Sequence, residues 1–374
     1  MRINCQKEDL LYGVQAVAKG ISGKNTLPIL GGIVIEATKE KVVLKATDLE
    51  MAIECIINAE VEEEGTVVVP GKYFNELVRY LPAGLILLYS TEKEHLEVKY
   101  EKSQLFVNCF DPEEFPALPV FKGEISGLIS PMVFRRLIRQ VSIAAANDEV
   151  RPIFAGLLIE TTAEQITMVA TDTHRLAIGK GGWQGKNNAT FLLPSRTLQE
   201  IARLAVNDDE MIKIVHNENQ VYFCFGNITF FSRIISGQYP EYRQVLPSEN
   251  LYITKAYINK NKLLDSLERA SLLGRDANRS KGSIVKLALI DNLLTVSADV
   301  PDTGRIKEEI EINIEGKNLE ASYNSKYLIE ALKAIDDDTI IMQLTGTSTP
   351  GIIMPNENKE DSSYTYLILP IRVN

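Results

Sequence analysis

An α+β fold repeated three times along the chain is what the sequence predicts, and three observations predict it. The chain aligns with itself at an offset of 124 residues over about ninety residues, and more faintly at an offset of 130. Every copy alternates short β-branched runs with charged or Gly/Pro turns, as antiparallel strands do. Two helical segments interrupt the strands in each copy, which places helices on one side of antiparallel sheet.

The repeat is explicit in residues 27–48, LPILGGIVIEATKEKVVLKATD, which align without a gap on 151–172, RPIFAGLLIETTAEQITMVATD, with ten of 22 positions identical. The same offset carries Pro70 onto Pro194, Lys72 onto Arg196, Glu76 onto Glu200, Arg79 onto Arg203 and Phe115-Pro116 onto Tyr239-Pro240. The offset of 130 then takes Arg196, Glu200 and Arg203 onto Lys326, Glu330 and Lys333. A period this long is a whole domain rather than one turn of a solenoid. The expected domains are residues 1–124, 125–249 and 250–374.

In the first copy GIVIEAT, KVVLKAT, TVVVP, LILLYS, HLEVKY and QLFVNCF read as strands. Residues 7–19 and 71–81 are its helical segments, the latter with Phe74, Leu77, Val78 and Leu81 at helical spacing. The matching pairs are 131–146 with 195–205, and 259–274 with 324–335.

Composition excludes several classes. The N-terminus MRINCQKEDL lacks an apolar signal region and no stretch approaches the roughly 18 apolar residues of a membrane span. A soluble, unexported, cytoplasmic protein with no membrane partner is expected. Cys5, Cys55, Cys109 and Cys224 form no C-x-x-C pair and read as reduced, buried thiols. His95, His174 and His216 have no His or Cys at metal-ligand spacing, so neither metal nor cofactor is expected. No G-x-S-x-G, H-E-x-x-H or phosphate-cradling loop accompanies His174, and no catalytic residue is assigned.

The net charge of −10 argues against a protein that coats nucleic acid all over. Yet the six helical segments, the fifth extended to Lys281, sum to +9, leaving −19 for the rest. That segregation marks one basic surface on an acidic protein, suited to sequence-independent contact with a phosphate backbone. The recurring pattern Lys72-x3-Glu76-x2-Arg79, Arg196-x3-Glu200-x2-Arg203 and Lys326-x3-Glu330-x2-Lys333 sets two cations about two turns apart on one helix face. A salt-bridged, solvated helix surface would read the same way. Three copies in register, with Arg135, Arg136 and Arg139 unopposed by any acid in 131–146, favour the nucleic-acid face.

The segments KNTLPILGGIVIEA, ATDLEM, RPIFAGLLIE, ATDTHRLA, GQYPEYRQVLP and the C-terminal LPIRV resemble the bacterial DNA polymerase III β subunit family, from the first helix to the C-terminus. The resemblance implies three clamp domains per chain and two protomers head to tail in a six-domain ring, with helices lining the hole. It implies a non-catalytic processivity factor that encircles double-stranded DNA as a homodimer. Its implied partners are DNA polymerase III alpha and other polymerases, the clamp loader, and mismatch-repair and ligase-type proteins carrying clamp-binding peptides. A cytosolic interaction scaffold without a DNA role is the alternative.

By the same resemblance a peptide-binding pocket is lined by Phe154, Thr171, Thr173, His174, Arg175, Leu176, Pro240, Gln244, Val245, Leu367, Leu369, Pro370, Ile371 and Arg372. Apolar walls with a few polar rim groups suit the hydrophobic end of a short peptide. Phe154 stands where the family often has Leu, and Gln244 where it often has Arg. DNA contacts map onto Lys24, Lys72, Lys99, Arg151 and Arg196, beside Arg79, Arg203, Lys326 and Lys333 of the helix pattern. Pro152 and Ile153 replace aromatic residues that some members carry. The ring interface maps onto Leu105 and Val107, meeting Leu272 and Leu273 of the other protomer.

Overall fold

The same order of elements runs three times along the chain, a computed structural model that describes residues 1–21, 27–91, 95–118, 125–147, 150–273, 283–300, 303–357 and 362–372. In the first copy it is strand Arg2–Gln6, helix α1 (Lys7–Val17), strands Gly32–Ala37, Val42–Thr47, Met51–Ile57, Glu60–Glu63 and Gly65–Pro70, helix α2 (Gly71–Tyr80), then strands Leu85–Tyr89, His95–Tyr100 and Ser103–Asn108. The second copy substitutes α3 (Pro131–Val141) and α4 (Ser195–Leu204), the third α5 (Lys260–Leu273) and α6 (Ser325–Ala334). Helix α1 passes into a 3₁₀ turn at Ala18–Gly20 and α3 into one at Ser142–Ala144. The longer helical segments expected there are thus an α-helix plus one tighter turn, a common way to satisfy the last carbonyls.

The second helix of each copy is built alike. Phe74, Leu198 and Leu328 are fully buried, while Lys72, Arg196 and Lys326, two residues earlier, are exposed. Helix dyad and sheet are held together by such apolar anchors, each worth about 2 kcal/mol of burial.

The chain divides into two compact units, one of Met1–Pro131 with Arg196–Ile234, the other of Met132–Ser195 with Ile235–Asn374. The second copy is therefore cut in half, and sheet topology explains the cut. In unit 1 its last strand, Ile228–Arg233, pairs with the first copy's Met51–Ile57, extending an antiparallel sheet through Val42–Thr47 and Gly32–Ala37 to Gly65–Pro70. In unit 2 the third copy's last strand, Tyr364–Ile368, pairs with the second copy's Arg175–Gly182, giving a nine-stranded antiparallel sheet. Ladders join neighbouring copies, so the unit of repetition is not the unit of compaction.

This pairing rule leaves two ends unused. Ser103–Asn108, the first copy's last strand, is an edge of the five-stranded sheet of unit 1, and Gly304–Glu311, the third copy's fourth strand, is an edge of the four-stranded sheet of unit 2. In unit 2, Gly179 and Gly181 sit under α3, where a β-carbon would press on Leu137, Val141 and Val133. Their lack of a side chain lets the helix approach the strand closely.

Candidate functional site

The turn that carries ATDTHR is held by its own side chains. Thr171 Oγ1 donates to Arg175 O at 2.7 Å, and Asp172 Oδ1 accepts from the backbone N–H of His174 at 2.9 Å and of Arg175 at 3.1 Å. Thr173 takes a left-handed conformation, φ 77°, which a β-branched residue rarely adopts. The turn exposes Thr173 and His174 and sends Arg175 and Leu176 inward.

Behind the turn lies one continuous apolar cluster: Leu158, Val169, Leu176, Ile178, Leu192, Tyr239, Tyr242, Ile352 and Leu367, flanked by Ile153, Ile235, Leu246, Tyr252 and Met354. Sheet register creates it. Leu192, Leu158, Val169 and Ile178 face one another across four strands, and Leu176, Leu367 and Ile352 form the neighbouring row. Close in the chain to its members stand exposed apolar groups, Val245 at 54% and Leu369 at 38% exposure, with exposed Pro240, Gln244 and Arg372 and half-buried Pro370 and Ile371. The C-terminal segment is tied in place by Leu369 N–H donating to His174 O at 3.0 Å and Ile371 N–H to Ser322 O at 2.7 Å. Half-buried Phe154 lies under the guanidinium of Arg151, 5.0 Å from its ring centroid. All fourteen expected pocket residues lie in unit 2, and Leu176 and Leu367 of them belong to the cluster.

Arg175 is the charged member. It is only 6% exposed and donates through Nε to Asp172 at 2.9 Å and through Nη1 to Glu330 of α6. Its guanidinium lies 4.1 Å from the ring centroid of Tyr327 and 3.4 Å from Tyr366 Oη. Burial opposes its charge, but Tyr366 and the Glu330 hydrogen bond outweigh burial and hold its pKa above the ordinary arginine value. The rim tyrosine Tyr242 donates to Glu160 at 2.6 Å, which Arg243 also pairs at 2.6 Å, and burial first, then Glu160, pushes the phenol up. Tyr239, Tyr242, Tyr327 and Met354 were not among the expected residues. The first two were within reach, since their positions repeat Phe115 and Leu118 at the offset of 124. Tyr327 carries no such mark.

Among the basic residues, Lys72, Arg79, Arg196 and Arg203 lie exposed on α2 and α4 of unit 1, and Lys326 and Lys333 exposed on α6 of unit 2. Arg79 pairs with Glu76 at 3.6 Å and Arg203 with Glu200, both within one helix, whereas Lys333 pairs with Glu268 of α5 at 2.7 Å. Lys99 is not on a helix. It sits on strand His95–Tyr100, paired with Glu97 at 3.0 Å. Lys24 and the tail up to Lys281 lie outside the described residues.

No acid of 131–146 opposes the arginines of α3, but Arg139 finds one far along the chain, Asp336, at 2.5 Å. That pairing holds the Asp336 carboxyl below its usual range. Arg136 donates to Ser362 and Lys180 O, and burial lowers its pKa. Arg136, Arg139, Asp336 and Ser362 line a cavity of about 650 Å³ with Met132, Val133, Arg135 and Gly182.

At the sheet edge, Leu105 is half-buried, but Val107 is 1% exposed and faces its own core. Phe106 between them is 63% exposed, so it and not Val107 offers a side chain to solvent. Leu272 is 53% exposed and Leu273 half-buried on α5. Of the cysteines only Cys5 and Cys55 are fully buried, and burial raises both thiols to about 12. Cys109 and Cys224 are half-buried, a correction to the expectation of four buried thiols. No cluster of potential metal ligands occurs among the described residues.

Known proteins resemble this chain from end to end. Residues 1–119 match the family described as DNA polymerase III beta subunit, N-terminal domain, residues 128–241 the central domain and residues 243–372 the C-terminal domain. The chain is 34% identical over 382 residues to the beta sliding clamp of Staphylococcus epidermidis, covering all of this chain and 99% of that one. To the beta sliding clamp of Staphylococcus aureus it is 33% identical over the same length and coverage. Among solved structures it superposes on the DNA polymerase sliding clamp from Bacillus subtilis with a TM-score of 0.93 at 29% identity, covering 100% of both chains. It also superposes on the sliding clamp from Pseudomonas aeruginosa bound to griselimycin, with a TM-score of 0.91 at 26% identity and the same coverage.

Proposed function

The chain belongs to the family of bacterial DNA polymerase III beta subunits, the beta sliding clamps, and from that premise we propose how its own residues do a clamp's work. A clamp is a processivity factor and not an enzyme: it holds polymerases on duplex DNA. Its clamp domains here are residues 1–124, 125–249 and 250–374. No helix among the described residues is long and apolar enough to cross a membrane. A cytoplasmic site of action beside the chromosome is part of this reading.

The observation that carries the peptide reading is the continuous apolar cluster that includes Leu176, with exposed Val245 and Leu369 close to its members in the chain. An apolar hollow with few polar groups accepts the bulky end of a short peptide, the part of a polymerase, clamp loader, mismatch-repair protein or ligase that a clamp must hold. The ligand griselimycin, bound by the Pseudomonas aeruginosa clamp, is a candidate for the same hollow. A hexapeptide ending in Leu-Leu-Phe should bind near the micromolar range, as small interfaces do. Calorimetry should find that Leu176→Asp abolishes this binding while the oligomer persists; equal affinity in both proteins would move the partner site elsewhere.

Ring closure follows from the pairing rule of the fold. The last strand of the second and of the third copy lies against the preceding copy's fourth strand, with Phe230 opposite Ile53 in unit 1 and Tyr366 opposite Ala177 in unit 2. The first copy's last strand and the third copy's fourth strand lack such a neighbour among the described residues. A second copy supplies it, placing Phe106 opposite Ile306 of that copy, with Leu105 nearby and Leu272 and Leu273 on the flanking helix. Two such head-to-tail contacts close a homodimer of six domains.

Lys72, Arg79, Arg196, Arg203, Lys326 and Lys333, with Lys24, Lys99 and Arg151, contact the DNA backbone without reading sequence. Retention on circular plasmid through a high-salt wash, with loss on linearisation, is the expected result, because a topological link survives salt that breaks phosphate contacts. Equal retention on both forms at low salt and none on either at high salt would leave simple electrostatic binding instead.

A further inference from the structure

The pattern Lys/Arg-x3-Glu-x2-Lys/Arg occurs on the second helix of all three copies, but its glutamate does two different things. On α2 and α4 it pairs within its own helix, Glu76 with Arg79 and Glu200 with Arg203. On α6 it does not: Glu330 pairs with Arg175 of the second copy, and Lys333 turns to Glu268. The residue at which the helix meets the preceding copy changes in step. Thr197 of α4 touches the sulfur of Met51 at 3.8 Å, an uncharged join. At the equivalent place in unit 2, Tyr327 of α6 stacks on Arg175, which stands where unit 1 has Met51.

Arg175 in turn is the hub of the pocket's turn. Asp172 receives its Nε and, through its other carboxylate oxygen, the N–H groups of His174 and Arg175, while Tyr366 Oη, 3.4 Å from Arg175, donates to Tyr327 O at 3.1 Å. The next residue, Leu176, is in the apolar cluster, and His174 O holds Leu369. A buried guanidinium stays put only while its carboxylate partners face it, because an unmatched charge there would turn toward water.

We propose that Glu330 is a positioning residue for the peptide pocket, acting through Arg175 to hold the Asp172–Leu176 turn and the Leu369–Ile371 segment in their binding geometry. The inference rests on the peptide reading above. It makes α6 a structural member of the pocket.

The test is a double-mutant cycle read by titration of the Leu-Leu-Phe hexapeptide. Loss of a charge-assisted hydrogen bond predicts that Glu330→Ala weakens binding about tenfold and Glu330→Gln, which keeps an acceptor, only about threefold. In an Arg175→Met background, Glu330→Ala should add no further loss, since coupled groups are not additive. Glu200→Ala, the counterpart in unit 1, should bind as the parent does. Parental affinity in Glu330→Ala, or the same loss in both backgrounds, overturns the positioning role. A parent that fails to bind the hexapeptide at all overturns the pocket reading first, and this inference with it.

Discussion

Residues 47–54 and 171–178 are two versions of one hairpin. Thr47 and Thr171 each donate to the carbonyl four residues on at 2.7 Å, Asp48 and Asp172 each cap the next turn, and Leu49 and Thr173 share a left-handed φ of 75° and 77°. Even the incoming strand is tied alike, Arg233 N–H to Glu50 O and Leu369 N–H to His174 O, both at 3.0 Å. The difference lies in one row of side chains across the sheet. In unit 2 it reads Leu192, Leu158, Val169, Ile178; in unit 1 it reads Val68, Val34, Lys45, Glu54. Lys45 pairs with Glu36 at 2.5 Å and Glu54 at 3.7 Å, and that charged pair divides the apolar surface into two separate clusters. Two residues separate a row that is apolar throughout in unit 2 from one that carries an ion pair in unit 1.

The largest expected effect is to write unit 1's row into unit 2. Val169→Lys with Ile178→Glu should lower hexapeptide affinity by a factor of about 100 or more, since the charges fall inside the contact that apolar burial drives. The fold should survive, because unit 1 already carries this row. Circular dichroism and titration together check it, and undiminished binding would show that the row is not what distinguishes the two regions.

The shared turns offer the next test. Replacing Thr173 or Leu49 by Gly should raise the thermal midpoint, each by the equivalent of about 1 kcal/mol, as relief of left-handed strain exceeds the entropy that glycine loses. The gain should be greater at Thr173, which is β-branched. A fall in midpoint at both sites would mean that the side chains contribute more than the strain they carry.

Smaller still is the reverse exchange, Lys45→Val with Glu54→Ile. Partly exposed ion pairs contribute little, so the midpoint should move by less than about 1 kcal/mol. Peptide binding should not appear in unit 1, because Arg233 stands where unit 2 has Leu369. A second equivalent of hexapeptide in the titration would prove the row sufficient by itself.

The smallest effect concerns the tie between α3 and Asp336, which Arg139 holds below its usual carboxyl range. A depressed folded pKa stabilises above the unfolded value, near 4 for an aspartate, and that contribution fades as pH falls through the folded pKa. Asp336→Asn should therefore lower the midpoint slightly at pH 7, with the gap to the parent closing in acid. A gap that widens in acid would contradict the sign.

Three copies, their antiparallel strands, the two helices of each and the exposed cations at Lys72, Arg196 and Lys326 were all legible in the sequence. Periodicity and self-similarity are local properties, and local patterns survive in one dimension. ATDTHRLA, YPEYRQVLP and LILPIRV were legible as pocket segments only by resemblance, since nothing in their spacing says that they meet. Tertiary structure alone decided which copy's strand lies beside which, and hence that Leu176 faces Leu367 while Ala52 faces Phe231. It also decided that Arg139 finds Asp336, that Val107 turns inward while Phe106 stays out, and that Glu330 leaves its own helix for Arg175. The physical reason is the same in each case. A side chain's partner is set by register and packing between segments, more than a hundred residues apart for Arg139, Leu176, Ala52 and Glu330 and one hairpin apart for Val107, and the identity of the residue records its chemistry but not its neighbour.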